Sequence, residues 1–263
     1  MTALFETQDL TVQFRVRRGR HATLRRLTAL DHVTVRWDEG ETLALVGESG
    51  SGKTTLGRVL LGLQPPTSGS VTYAGRPIRA TPRLAFRRRV QAVFQDPYQS
   101  LNPRATVGAH LLAGLAIHSL GQRGVERVAM GLAALEAAGL TPPERFWNRY
   151  PHELSGGQRQ RVVIAGAIAL GPQALICDEP VSALDVSVRA QVLQLLDQLR
   201  TAQGLSLLFI THDVGLARQM SDRIAVLYEG QLVEYGPTAT VLDDPQHEYT
   251  RRLLAAVPTI KRR

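Results

Sequence analysis

The chain has 263 residues, 44% of them hydrophobic and 21% charged. These values fit one large or two small globular domains and exclude a disordered, collagen-like or coiled-coil chain. No apolar run approaches the length of a membrane span, and the N-terminus lacks the pattern of a signal peptide. The single cysteine, Cys177, excludes a disulfide framework and a cysteine-built metal site. We therefore expect a cytoplasmic protein, which a partner can still hold at a membrane.

The net charge of +8 comes almost entirely from arginine, because Lys53 and Lys261 are the only lysines among 31 basic residues. The arginines cluster at 15–20, 87–89 and 262–263. No aromatic residues are interleaved with them to stack on bases. The clusters therefore favour a solvated or lipid-headgroup-facing surface, and no nucleic acid partner is expected.

Apolar alternation, or apolar runs of strand length, predict strands in the first hundred residues. The predicted strands lie at 10–14, 33–37, 42–46 and 90–94. A basic, glycine-containing loop or hairpin joins the first two over 15–29. A glycine-rich turn follows the third strand, and helical spacing then begins at Lys53 and ends at 64–69.

The chain changes character over residues 97–153, which are rich in alanine and have helical spacing around 107–117 and 125–138. This stretch predicts a helical subdomain. Beyond it, strands and helices alternate again, which indicates an α/β fold with a mainly parallel sheet. The predicted strands there are 173–177, 205–210, 223–228 and 231–235, and the predicted helices are 156–170, 187–202 and 214–220. Residues 237–263 predict a tail of short helices.

Residues 47–54 fit the phosphate-loop spacing G-x-x-x-x-G-K-[ST]. Glycines let backbone N–H groups approach phosphate, and the following helix directs its positive end at the same group. We assign Lys53 to the β- and γ-phosphates and the Thr54 hydroxyl to Mg²⁺. The residues predicted to hold the nucleotide here are Gly47, Glu48, Ser49, Gly50, Ser51, Gly52, Lys53, Thr54 and Thr55. An apolar strand before the loop and a helix after it complete the pattern of an ATP or GTP site.

Three further strands end in polar side chains suited to the same chemistry. Asp178 follows an apolar strand and is predicted to act on Mg²⁺, whereas Glu179 is predicted to polarise the attacking water as general base. His212 follows the strand 205–210 and is predicted to contact the γ-phosphate and hold Glu179 in register. Gln95 follows the strand 90–94, and its amide is predicted to reach Mg²⁺ or the water.

The segment Leu154-Ser-Gly-Gly-Gln158 opens an apolar helix and predicts a second anion-binding helix start. The chain then has two such starts but one lysine for a phosphate cradle. Head-to-tail association of two chains resolves this, because each chain then offers its serine-glycine turn to the other's nucleotide. The predicted partner-facing residues are Ser155, Gly156, Gly157 and Gln158.

These motifs occur in the order found in the ATP-binding cassette (ABC) family, which the sequence resembles over nearly its whole length. The resemblance identifies Gln95 with the glutamine loop, 154–158 with the signature and 182–185 with the D-loop. It implies that Asp185 crosses a dimer interface. Phe14 is similar to the aromatic that stacks on adenine, although a buried strand aromatic also fits. The implied fold is a RecA-like P-loop NTPase core with an N-terminal antiparallel β subdomain and an α-helical ABC subdomain, all in one domain over 1–263.

A narrower resemblance is to the oligopeptide, dipeptide and nickel import branch. It rests on the stretches 93–104, 177–187 and 244–258. Tyr98 is similar to the second ("F" or "E") ATPase of such importers. The chain stops soon after Pro258 and lacks the cysteine cluster of longer peptide-branch tails, which leaves nickel or a related metal chelate, or a short-tailed dipeptide system, open.

The resemblance implies an ATPase that couples ATP and Mg²⁺ to solute uptake at the cytoplasmic face of the inner membrane. The implied partners are two membrane permease subunits, a second homologous ATPase and a solute-binding protein that joins through the complex. ATP binding closes the two cassettes and hydrolysis opens them.

Three other functions fit parts of the sequence. A soluble ABC ATPase acting on nucleic acid or the ribosome fits the fold, but such proteins carry tandem cassettes or long coiled coils. A small-molecule kinase or GTPase leaves 154–158 unexplained. A non-catalytic nucleotide-gated module would have lost Glu179 or His212, and both are present.

Overall fold

The structure is a computed structural model that describes residues 2–16, 25–122 and 124–256. The strands are β1 (Ala3–Val16), β2 (Arg25–Val33), β3 (Arg36–Asp38), β4 (Thr42–Val46), β5 (Ser68–Tyr73), β6 (Arg76–Pro77), β7 (Val90–Val93), β8 (Ala174–Asp178), β9 (Ser206–Thr211), β10 (Arg223–Tyr228) and β11 (Gln231–Pro237). The helices are α1 (Lys53–Leu60), α2 (Arg83–Arg89), α3 (Pro97–Ser100), α4 (Val107–Ile117), α5 (Val125–Ala137), α6 (Glu144–Trp147), α7 (Gly156–Ile168), α8 (Val186–Gln203), α9 (Val214–Met220), α10 (Thr238–Asp243) and α11 (Glu248–Ala255).

The chain forms two compact units, the first of residues 1–81 and 208–263 and the second of residues 82–207. The predicted helical subdomain 97–153 lies within the second unit, and its boundaries stay a prediction. The arginines at 17, 18 and 20 and the last seven residues of the predicted tail lie outside the described residues.

An antiparallel sheet forms one part of the first unit, with the order β2-β1-β5-β6 and β3 paired to β1. Its core is aromatic, because the Phe5 ring stacks 5.3 Å from Trp37 and lies 5.0 Å from Tyr73. The Trp37 indole N–H donates to the Glu41 carbonyl at 3.0 Å, so its polar edge is satisfied when buried. The antiparallel β subdomain predicted for the N-terminal part is thereby confirmed.

The structure decides three points about the strands that the sequence left open or predicted differently. Residues 25–29 belong to β2, which pairs antiparallel with β1, so the hairpin alternative for 15–29 is the correct one. The strand expected over 33–37 is interrupted, because the Thr7 hydroxyl donates to the Val33 carbonyl and accepts the Val35 N–H. β5 begins within the predicted helix end at 64–69, and the unassigned stretch 70–89 contains the rest of β5, together with β6 and α2.

The second sheet of the first unit has β11, β10, β4 and β9 as successive neighbours. β10 is antiparallel to β11 and parallel to β4, and every residue of β4 is buried. The apolar cluster beside these strands joins β4 and β10 to the three C-terminal helices. It consists of Ala44, Val46, Val214, Ala217, Ile224, Val226, Val241, Leu242 and Tyr249.

The second unit pairs the parallel strands β7 and β8 with a helical layer. Trp147 of α6 lies between α4 and α5, and glycines make room for its ring. A Cβ on Gly108 would lie 2.4 Å from the ring, and one on Gly131 would lie 2.7 Å from it. The helical spacing predicted around 107–117 and 125–138 is confirmed by α4 and α5. In the ranges that the structure describes, no helix is long and apolar enough to span a bilayer.

Candidate nucleotide site

The phosphate loop connects β4 to α1 in the first unit, and two of its glycines are required by close packing. Gly47 has φ 150°, and a Cβ there would lie 2.2 Å from the Leu227 carbonyl oxygen of β10. Gly52 has φ 106°, and its Cβ would lie 2.5 Å from the Ala29 carbonyl oxygen of β2. Any larger residue at either position would displace backbone, so these glycines fix the loop against two strands.

Lys53 is only 6% exposed, and its ammonium is held by the loop itself. The Nζ atom donates to the Gly47 carbonyl at 2.7 Å and to the Glu48 carbonyl at 2.6 Å, with the Ser51 hydroxyl at 3.4 Å. These acceptors are neutral, so the charged oxygens of a phosphate are stronger acceptors for the same ammonium. The lysine is therefore placed inside the loop, and its contact with phosphate stays a prediction.

The first turn of α1 places its threonines beside this lysine. Thr54 is exposed and Thr55 is half-buried, while Glu48, Ser49 and Gly50 form the exposed tip of the loop. The helix begins after Gly52, which provides no side-chain cap. The N-terminal amides of α1 are thus not covered by a capping side chain, which suits an anion-binding helix start.

Sequence reasoning missed one residue that contacts this loop, Tyr249 of α11. The backbone N–H of Glu48 donates to the Tyr249 hydroxyl at 2.9 Å, across 201 positions of sequence. Local sequence carries no signal for this contact. In the sequence analysis, the stretch 244–258 supported only the family resemblance and predicted no contact with the loop.

The first unit also contains two other predicted site residues. His212 is exposed directly after β9, a neighbour of β4 in the sheet. Phe14 is half-buried on β1 opposite Leu27 of β2. The same strand β2 supplies Ala29, which packs on Gly52, so β2 connects the neighbourhood of Phe14 to the phosphate loop. The roles of both residues stay predictions.

The second unit brings Gln95, Asp178 and Glu179 to one sheet edge. β7 and β8 are parallel, with Val93 opposite Cys177 in the final register pair. The residues after them therefore leave the sheet at the same carboxyl edge, which is where ligands bind in such folds. Gln95 is exposed, and both carboxylates are half-buried.

Glu179 occupies a left-handed backbone conformation, with φ 49°. The turn after it is closed by Ser182, whose N–H and hydroxyl both donate to the Glu179 carbonyl at 3.3 and 3.1 Å. Residues held in this region are uncommon outside glycine and concentrate at functional sites. Asp185, at the end of the same turn, is exposed and its side chain does not cap α8.

The signature segment begins α7 with a reciprocal cap. The Gln158 N–H donates to the Ser155 hydroxyl at 3.3 Å, and the Ser155 N–H donates to the Gln158 amide oxygen at 3.0 Å. Gly157 is buried, and a Cβ there would lie 2.3 Å from Val188 of α8. Gly156 is exposed, and its Cβ would meet only Leu184, at 3.6 Å.

Sequence reasoning also missed a contact between the glutamine-loop segment and α7. The guanidinium of Arg159 lies 4.0 Å from the centroid of the Tyr98 ring, which is within cation–π range. Arg159 is 8% exposed, and its Nε also donates to the Pro151 carbonyl at 2.6 Å. The signature helix and the segment after Gln95 are therefore directly joined.

The predicted metal ligands are a hydroxyl, an amide oxygen and a carboxylate, from Thr54, Gln95 and Asp178. Hard oxygen donors of this kind fit Mg²⁺. Among the described residues, no cluster of three or more His, Cys, Asp or Glu could hold a metal by itself. Burial, with the Asp178 charge adding to it, raises the pKa of the Cys177 thiol, so this neighbour is a poor metal ligand.

Comparison with known proteins identifies the chain's relatives. The family model described as "ABC transporter" matches residues 30–182. The putative oligopeptide transport ATP-binding protein YkfD of Bacillus subtilis is 47% identical over 97% of this chain and 76% of its own length. The glutathione import ATP-binding protein GsiA of Salmonella typhimurium is 47% identical over 97% of this chain, which spans 41% of that relative. A putative peptide import ATP-binding protein of Brucella abortus is 50% identical over 90% of this chain and 71% of its own length.

The solved structures that resemble this chain are also ATP-binding cassettes. CbiO1 of Clostridium perfringens, described as part of the ABC transporter complex cbiONQ, aligns with a TM-score of 0.78 at 26% identity, over 98% of this chain and 97% of its own. A dimeric ATP-binding cassette in a post-hydrolysis state with ADP and Pi aligns with a TM-score of 0.75 at 30% identity, over 89% of this chain and 98% of its own. The expected α/β fold with a P-loop NTPase core is confirmed. The chain is an ATP-binding cassette ATPase, and it belongs to the ABC transporter family.

Proposed function

We propose that this chain is the ATP-hydrolysing subunit of a membrane importer for peptides. The phosphate loop carries the ATPase part of the proposal, because it holds a buried lysine among backbone carbonyls at the start of an uncapped helix. The relatives described above are named for oligopeptide, peptide and glutathione import. Those names favour a peptide solute over the nickel chelate that the sequence resemblance also allows.

In this proposal, Lys53 turns from the Gly47 and Glu48 carbonyls to the β- and γ-phosphates. Thr54, Asp178 and Gln95 would hold Mg²⁺, which neutralises developing charge on the phosphates when bound. Glu179 orients and deprotonates the attacking water, with His212 keeping it in register. Phe14 stacks on the adenine.

Residues Ser155 to Gln158 and Asp185 would face the nucleotide of a second cassette. The exposure of Ser155, Gly156 and Asp185 on the surface of the chain supports this role. The solved dimer with ADP and Pi shows that a cassette of this fold pairs. The further partners proposed are two permease subunits, which would place this chain at the inner face of the membrane, and a solute-binding protein. No nucleic acid partner is proposed.

The test of hydrolysis is Glu179→Gln, with Glu229→Gln as its matched control. Glu229 is exposed and has nearly the same backbone conformation, φ 48° against 49°, so both variants remove one charge at a left-handed position. We expect Glu179→Gln to bind ATP normally, to lose hydrolysis by about 100-fold or more and to accumulate as a closed dimer. Hydrolysis at the normal rate would show that the base assignment is wrong.

The test of the importer role is co-purification of the chain from its native membranes in mild detergent. Two multi-span subunits and a second cassette are expected. The solute-binding protein of that complex is then tested for binding of dipeptides and of nickel. Recovery of ribosomes or DNA-repair proteins without a membrane partner would overturn the importer proposal.

A further inference from the structure

The C-terminal helix α11 reaches the phosphate loop through one side chain. Tyr249 is 1% exposed, and its hydroxyl accepts the Glu48 N–H at 2.9 Å. The Glu48 N–H and the Gly47 carbonyl belong to one planar peptide unit. The Gly47 carbonyl accepts the Lys53 ammonium at 2.7 Å. The same peptide is therefore bonded to the tail at its N–H and to the phosphate-binding lysine at its carbonyl.

The Tyr249 ring is itself fixed. It stacks on Tyr228 at the end of β10 with a centroid distance of 4.2 Å. Its own N–H donates to the His247 ring nitrogen Nδ1 at 3.1 Å, which starts α11. It packs in the same apolar cluster as Ala44 and Val46 of β4, the strand that leads into the loop. The hydroxyl cannot follow a rotating peptide without breaking these contacts.

The other side of the peptide is equally restricted. The backbone of β10 approaches Gly47 so closely that a Cβ there would lie 2.2 Å from the Leu227 carbonyl oxygen. Tyr228, the next residue of β10, carries the ring on which Tyr249 stacks. β10 and α11 thus hold the first peptide of the loop from two directions. Burial raises the pKa of Tyr249, which keeps the hydroxyl neutral at physiological pH.

We propose that Tyr249 is a positioning residue for ATP binding, which sets the first peptide plane of the phosphate loop and thereby the direction of Lys53. The proposal rests on the assignment of the loop to the phosphates of ATP made above. It gives the tail helix a direct part in the nucleotide site. Without the hydroxyl, the Glu48 N–H loses its acceptor and the peptide is held only from the β10 side, so Lys53 meets phosphate from a less favourable starting position.

The test is Tyr249→Phe, which keeps the ring and removes only the acceptor. We expect the Kd of a fluorescent ATP analogue and the KM for ATP to rise about five- to tenfold, with kcat changed less than twofold. Tyr228→Phe is the control for the stacked pair. Leu253→Ala, in a residue packed against the same cluster, is the control for a general loss of α11 packing.

The proposal predicts that neither control raises the Kd as Tyr249→Phe does, even where Leu253→Ala lowers the melting temperature more. An unchanged Kd in Tyr249→Phe, or an equal rise in Leu253→Ala, overturns it. Slow hydrogen exchange of the Glu48 amide in the unaltered protein is a second expected result, and fast exchange contradicts the proposal. If the unaltered chain binds no ATP, the proposed function itself fails, whereas an effect of Lys53→Ala without one of Tyr249→Phe refutes only the role of the tyrosine.

Discussion

Helices α1 and α7 both start beside glycines, but they differ in how the N–H groups of the first turn are capped. Helix α1 starts after Gly52, which provides no side-chain cap. Helix α7 starts after Ser155, and the Ser155 hydroxyl and the Gln158 amide cap each other's N–H groups. Each start exposes amides that need acceptors. The first start has no capping side chain at Gly52, whereas the second supplies acceptors of its own.

The glycines at the two helix starts are required for different reasons. In the phosphate loop, Gly47 and Gly52 are required by carbonyl oxygens of β10 and β2. In the signature, Gly157 is required by packing on Val188 of α8, whereas Gly156 has ordinary space around it. The single chain therefore accounts for Gly157 structurally. Packing within the single chain does not require a glycine at 156, and under the proposed head-to-tail pairing its small size would make room for a partner's nucleotide.

The largest expected effect is on ATP affinity, at the start of helix α1. Lys53→Ala removes the one cation held inside the loop, and charged hydrogen bonds to phosphate are strong. We expect ATP affinity to fall about 100-fold, measured by titration calorimetry. Arg58→Ala, on the exposed side of the same helix, is the control and should bind normally. An unchanged ATP affinity in Lys53→Ala would show that Lys53 does not bind the phosphates.

A smaller effect, on ATP hydrolysis, is expected at Gly156, the exposed glycine at the start of helix α7. Gly156→Ala adds a methyl group that the single chain accommodates, so the melting temperature should stay within the range of a neutral surface change. If a partner's nucleotide approaches this turn, hydrolysis falls about 10- to 100-fold, because misplacement of about 1 Å is costly. The measurement is ATPase activity beside thermal unfolding. Full activity in a stable variant would contradict the head-to-tail arrangement.

The smallest expected effect is on the free energy of unfolding, and it is tested by comparing two glycines of α7. Gly157→Ala forces a Cβ against Val188 and should lower the free energy of unfolding by about 1–3 kcal/mol. Gly166→Ala, where a Cβ meets nothing within 4 Å, should raise it by about 0.5–1 kcal/mol. Urea unfolding of the two variants measures both. Equal shifts would mean that Gly157 is not held by α8.

Motif spacing predicted the strands and helices around the candidate site because each motif is local. The strand before residue 47, the helix from Lys53 and the helix from Gly156 all follow from short patterns of apolar spacing, glycine and caps. Segments without such a pattern escaped prediction. The strand β5 is half polar and pairs with β1 far along the chain, so its existence depends on a partner that local sequence does not name.

The sequence by itself determined the family, the phosphate loop and the order of the motifs, since these depend on residue types at fixed short spacings. Only the tertiary structure decided which contacts hold them. The Glu48 N–H meets a tyrosine 201 positions away, and Arg159 lies over the Tyr98 ring. Such contacts arise when distant elements pack into one core, and the same packing decides that Gly157 is obligatory while Gly156 is free to vary in the single chain.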